Sequence, residues 1–266
     1  MSTATTGGGL RWDWAVIRTL WLRDFLRLRR ERSRWLGIVL QPVLFWVILG
    51  SGFADSFRLA GDAETDYLAF FYPGILVMIM LFSTIFAMMA LIEDRQSGFL
   101  QGILAGPASR PAMVLGRLAG LVSMVLLQTG LFMLLAPLAG YPFGAVDWAL
   151  LLLAIVLGAL LLGALNFAAA WLLDSTQGYH AVMGVVLIPL WVLSGAMFPP
   201  GDGLIGRLMV ANPMHWMVEA VRAGLEGSST PAAWAVVAGL ALGAVVAVAL
   251  AGWVSRPPAG GGGGSA

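Results

Sequence analysis

Residues 68–92, LAFFYPGILVMIMLFSTIFAMMALI, run for 25 positions without a charged side chain, and residues 93–120 then read EDRQSGFLQGILAGPASRPAMVLGRLAG. A bilayer core takes about 20 apolar residues as a helix, so the first stretch is long enough to cross it. Five further apolar runs flank it, at 36–54, 118–139, 148–173, 181–198 and 232–254. They are continuous rather than alternating, which excludes barrel strands. The composition agrees: 59% of the 266 residues are hydrophobic and 11% charged, against about 25% charged in soluble domains, and mean hydropathy is +0.87. The apolar excess must face lipid, so the chain reads as an all-α integral membrane protein with six spans.

Charge sets the orientation. All 15 basic residues are Arg, and eight of them fall between Arg11 and Arg34 against three acids. The stretch after the first run holds Asp55, Arg58, Asp62, Glu64 and Asp66. Basic segments stay inside, so both termini are expected to be cytoplasmic, in a cell (plasma or inner) membrane. Within residues 11–34, Trp14, Ile17, Trp21, Phe25 and Leu28 recur at helical spacing while Arg23, Arg27, Arg30 and Arg34 form another stripe. That predicts an amphipathic helix on the membrane surface, its guanidinium groups meeting lipid phosphates. The expected organisation is a disordered 1–10, this helix at 11–34, a six-helix domain over 35–256, and a flexible linker or tag remnant at 257–266. No cleavable signal is read at the start. With no Cys and a net charge of +1, disulfides and thiolate metal sites are excluded and nucleic acid is not an expected partner.

Two connections carry the most information. In the first, Glu93, Asp94 and Arg95 are followed by Gly98, an apolar turn, Pro107, and Arg110 and Arg117 before the next run. The second, LSGAMFPPGDGLIGRLMVANPMHWMVEAVRAGL at 193–225, contains Ser194, Gly195, Phe198, Pro199, Asn212, Pro213, His215, Glu219 and Arg222. Its apolar stretches are too short and interrupted to cross, which predicts two short helices dipping into the outer leaflet as a re-entrant hairpin turning at Asn212-Pro213. Glu219 and Arg222 share a helical face and can pair.

Both stretches resemble the hallmarks of type-2 ABC export permeases: an acid ending the second span, then Gly, a Leu-rich turn, Pro and Gly-Arg; and Ser-Gly-x-x-Phe-Pro followed by Asn-Pro, His, an acid and Arg. The resemblance covers roughly 11–256. It implies a permease working as a dimer, with a second identical chain expected, beside cytoplasmic ABC ATPase subunits that bind ATP and Mg. The chain itself has no GxxxxGK[ST] phosphate loop and needs no cofactor of its own. It implies further that Glu93, Asp94, Arg95, Gly98, Phe99, Ile103 and Leu104 form a coupling lever. There Gly98 allows close backbone approach, Phe99, Ile103 and Leu104 are an apolar knob, and the three charged residues pair with the ATPase at its rim. An ordinary charged loop beside a membrane helix has the same composition. Phe198, Pro199, Asn212, Pro213, His215, Glu219 and Arg222 are implied to form an outer gate, with a static plug as the plainer reading.

For the pathway, Gln41 precedes Pro42, and Phe71, Ile75, Met78, Phe82, Phe86 and Met89 form one stripe. Thioethers and rings adapt to varied lipophilic substrates, and ordinary packing gives the same stripe. Gln128 and Asn166 read as helix-to-helix glue, and Gly116/Gly120 and Gly239/Gly243 as close helix contacts. A small lipophilic molecule or lipid is the expected cargo, and a lipid-linked glycan the alternative within the same machinery. An embedded enzyme is disfavoured, with two His on opposite sides and no metal or nucleophile motif. An ion-coupled carrier is disfavoured because no ionisable group lies well inside a run.

Overall fold

The computed structural model describes residues 6–30, 32–54, 67–106, 109–173 and 175–256. The acidic stretch 55–66, Pro107, the tail from 257, and the side chains of Arg27, Leu28, Arg30, Arg34 and Leu104 lie outside the described residues.

The described chain is helical throughout: α1 Thr6–Arg30, α2 Arg32–Ala54, α3 Tyr67–Gln96, α4 Phe99–Leu104, α5 Arg110–Met133, α6 Trp148–Leu172, α7 Thr176–Trp191, α8 Leu204–Ala211, α9 Pro213–Leu225 and α10 Pro231–Val254. A 3₁₀ turn, Ala136–Ala139, follows α5, and a bulge, Val192–Ala196, ends α7. Five segments are long and apolar enough to cross a membrane: α3, α5, α6, α10 and Thr176–Ala196. The expected first span corresponds to α2, whose described apolar part, Leu40–Phe53, is shorter.

Boundaries differ from the sequence expectation where capping decides them. Ser109 accepts from the amide of Ala112 and Pro111 stands in the first turn, so α5 starts well before the apolar run and takes in Arg110 and Arg117. It ends at Met133 rather than Ala139, because Pro137 and the left-handed Gly140 close the 3₁₀ turn instead. The helix α1 begins at Thr6, ahead of the boundary read at Arg11. Asp147, Ser175 and Thr230 cap α6, α7 and α10.

α3 and α6 form the centre. Phe71, Ile75, Met80 and Leu81 of α3 are fully covered, and α10, α5 and α9 pack around α6. The outward faces stay apolar: Val185 is 76% exposed, Leu242 68% and Val245 67%. Water penalises such a surface and a lipid tail does not, so the packing repeats what the composition says: this is a membrane protein.

Candidate functional site

The two connections lie at opposite ends of α3. Tyr67 at its start donates to the carbonyl of Met197 at the end of the bulge, and Asp94 sits in its last turn. At 1.5 Å per residue the 27 steps between them span about 40 Å, close to a full bilayer with its headgroups.

At the α4 end, Asp94 is 4% exposed. Arg23 of α1 grips it with both terminal nitrogens, each at 2.6 Å, in the planar bidentate geometry that suits guanidinium and carboxylate. Arg117 of α5 donates to the same carboxylate and, at 3.1 Å, to Asp24. Arg23, Arg117, Asp94 and Asp24 thus meet between α1, α3 and α5. Arg117 is itself 4% exposed, and its Nε has no hydrogen-bond partner. Arg23 also lies over the Phe99 ring at 3.8 Å, a cation–π contact tying α1 to α4. Arg95 donates to the carbonyl of Trp171 at 2.7 Å and covers its ring. Asp94 and Arg95 therefore serve contacts within the chain, where the sequence expectation put them at a partner's rim. Glu93, Phe99, Gln101 and Gly102 are among the exposed residues at this end, with Ile103 half-buried and Leu100 turned inward.

Gly98 also has a different reason from the one expected. A Cβ there would meet nothing within 4 Å, but φ is +78°, the left-handed conformation that lets the chain leave α3 and restart as α4. Close approach is instead the property of Gly116 and Gly120, the pair read as a helix contact. A Cβ on Gly116 would stand 3.1 Å from the Ile17 backbone, and one on Gly120 2.7 Å from an Asp24 oxygen. Asp13 accepts from the Ser109 amide and hydroxyl at 2.6 and 2.9 Å, and Trp21 donates to Ser123 at 2.8 Å. These contacts advance together along both chains, so α1 runs beside the first turns of α5. Ile17 faces α5, while Trp14, Trp21 and Phe25 stay exposed.

At the other end, α8 and α9 are two short helices meeting at Asn212, whose side chain accepts from the Met214 amide and caps α9, with Pro213 in the first turn. Asn212 also donates to the carbonyls of Leu190 and Leu193, at 2.5 and 3.1 Å. His215 Nδ1 lies 2.9 Å from the carbonyl of Ser194; a carbonyl only accepts, so Nδ1 carries the proton. Arg222 pairs with Glu219, as the i,i+3 spacing predicts, reaches the Gly195 carbonyl at 3.4 Å and stands 4.8 Å from the Phe70 ring. Phe198 and Pro199 are exposed.

The pathway candidates are divided. Met78 is buried inside the chain, Phe82 is half-buried and Phe86 is 42% exposed, the two rings stacked with centroids 6.4 Å apart. Gln41 is half-buried on α2. Gln128 accepts from Ser83 and Asn166 from Tyr179, at 2.6 and 2.9 Å, so both amides do join neighbouring helices.

Sequence reasoning gave Arg23 to the lipid phosphates and Arg117 to the start of the next span, and missed Asp24 and Trp171. One signal was legible: Asp13 and Asp24, eleven residues apart, occupy one face of an otherwise Arg-rich helix.

Comparison with known proteins matches residues 15–225 to the ABC-2 type transporter family. A ycf38 protein of Cyanophora paradoxa, named as a transport permease, is 30% identical over 210 residues, covering 75% of this chain and 70% of the relative. Its counterpart in Porphyra purpurea is 26% identical, covering 77% and 72%. The daunorubicin resistance ABC transporter permease protein DrrB1 of Streptomyces coeruleorubidus is 26% identical over 228 residues, covering 81% and 76%.

Proposed function

The chain belongs to the ABC-2 type transporter family, and from that premise we propose that it is the membrane subunit of an exporter for a lipophilic small molecule or lipid, driven by ATP hydrolysis in a separate ATPase. It is a transport permease, and membership of this family implies partnership with an ATPase subunit. The observation that carries the finer reading is the pair of sites at the two ends of α3, joined by one continuous helix of 30 residues. A rigid element of that kind passes movement at one end to the other.

On this reading the ATPase docks at the α4 end, on Phe99, Gln101, Gly102 and Ile103, and the α8–α9 hairpin guards the exit. Two copies of the chain meet across α2 and α7, which leave Leu44, Ile48, Val182 and Val185 exposed, and substrate moves past Phe82, Phe86 and Gln41. On the same reading α2 is the first of six spans, which puts both termini on one side, and the Arg-rich residues 11–34 favour the cytoplasm. The name of DrrB1 favours a small lipophilic cargo. The carbonyls freed at the end of α7 are taken by protein donors, which leaves no cradle of the kind an ion-coupled carrier uses.

The test is reconstitution in vesicles with candidate ABC ATPase subunits of the same genome, using daunorubicin as a fluorescent probe. ATP-dependent movement that needs both chains is expected. Strong ATPase activity from this chain alone, or movement driven by an ion gradient without ATP, refutes the reading. Single Cys residues placed at Ser2 and Asp62 should label from opposite faces; labelling from one face refutes the orientation.

A further inference from the structure

The last turn of α7 is unwound. Leu193 (φ −84°, ψ 19°) and Gly195 (φ +82°) leave the helical path inside Val192–Ala196, so carbonyls that a straight helix would pair with its own amides need other donors. Side chains supply them. Asn212 serves Leu190 and Leu193, His215 serves Ser194, Arg222 serves Gly195, and Ser194 Oγ serves Trp191 at 2.6 Å. Asn212, His215 and Arg222 are spaced by three and seven residues, on one face of α9 and its cap. Other sides of α9 are fixed as well: Met217 and Val221 are fully buried, and a Cβ on Gly224 would stand 2.8 Å from the Leu151 backbone. A side chain at Gly195 would be strained by its left-handed φ and crowded, since a Cβ there would lie 3.1 Å from His215 Nδ1.

We infer that Asn212, His215 and Arg222 are positioning residues of export, holding the unwound end of α7 to α9 as one body through the whole cycle, so that the exit opens beside this body and not through it. In lipid no water replaces a lost donor, and separating α7 from α9 would strip four carbonyls of these donors together. Such a group holds or fails as a unit. The inference rests on the exporter reading for its role in transport, while the cap itself is testable at rest.

Ser194, fully buried beneath His215, supplies the reporter: Ser194→Cys is nearly isosteric and would be the sole thiol in a Cys-free chain. In the full-length protein in vesicles a membrane-impermeant maleimide should leave it unlabelled. Adding His215→Leu should raise the labelling rate about tenfold or more, because labelling follows the open population. His215→Asn, whose amide nitrogen takes the place of Nδ1, should stay protected, and His215→Gln, whose nitrogen takes the place of Nε2, should not. If His215→Leu does not fold, the Asn and Gln pair alone decides. With the ATPase partner, ATP and daunorubicin, protection should persist during turnover. Labelling that rises on ATP addition, or equal labelling of the Asn and Gln variants, overturns the inference. Absence of ATP-driven movement in the wild type defeats the exporter reading instead, and leaves the resting comparison of Asn and Gln to judge the cap.

Discussion

Asp94→Asn separates the two roles available to the carboxylate that ends α3. As a group reserved for the ATPase, Asp94 would be dispensable to the isolated chain. In the structure it is the shared anion of Arg23 and Arg117, and its loss takes one negative charge from beside a guanidinium that is 4% exposed. Removing one partner of a buried pair leaves an uncompensated charge and costs about 3–5 kcal/mol. Asp24 still faces Arg117 at 3.1 Å, and Arg23 is about a third exposed, so its share is small by comparison with the buried partner. The low end, about 3 kcal/mol, is therefore expected, which for a chain of this size is a fall in Tm of roughly 6–12 °C. The assay is thermal unfolding of the detergent-solubilised chain without any ATPase. Removing the buried cation as well, with Asp94→Asn plus Arg117→Gln, should recover part of the loss, a coupling that a double-mutant cycle measures directly. An unchanged Tm for Asp94→Asn, with weakened ATPase binding, would refute the cluster as the reason for this residue and return Asp94 to the partner's rim.

Gly98→Ala forces a Cβ into φ +78° and should cost roughly 1–2 kcal/mol in thermal unfolding. By contrast Gly102→Trp, whose Cβ meets nothing within 4 Å, should leave Tm unchanged and abolish ATPase stimulation; a folding defect in the second variant removes α4 as a docking knob. Glu219 is partly exposed, and Arg222 keeps the Gly195 carbonyl and the Phe70 ring without it, so Glu219→Gln should cost no more than about 1 kcal/mol and Arg222→Gln distinctly more. Equal losses on unfolding would show that the ion pair, rather than the carbonyl contact, is what matters at Arg222. Partial burial pushes the Glu226 carboxyl up, with Arg222 drawing it back in part and Glu219 adding to the rise. The folded chain then keeps that proton to higher pH than the unfolded one, so stability is lost as pH rises above the ordinary carboxylate range. Glu226→Gln should melt higher than wild type at pH 7 and alike at pH 4; the opposite order contradicts the shift.

What the sequence determined by itself was everything that depends on local pattern. Apolar runs and the scarcity of charge set the membrane class, the placement of the long helices and the two short helices meeting at Asn212-Pro213, because length and hydropathy decide crossing before any packing does. The i,i+3 spacing of Glu219 and Arg222 was enough to predict their pairing. The contacts of Asp94, Gly98, Asn212 and His215 needed the folded chain. Arg23 and Asp94 are 71 residues apart, Arg117 and Asp24 93 apart, and no periodicity relates them; they meet because Gly116 and Gly120 admit α1 against α5. Gly98 looked like a point of close approach and is a turn, since glycine serves both ends and only φ tells them apart. His215 was expected at a gate, and its partner, the Ser194 carbonyl, lies within reach of the ring because α7 bulges there.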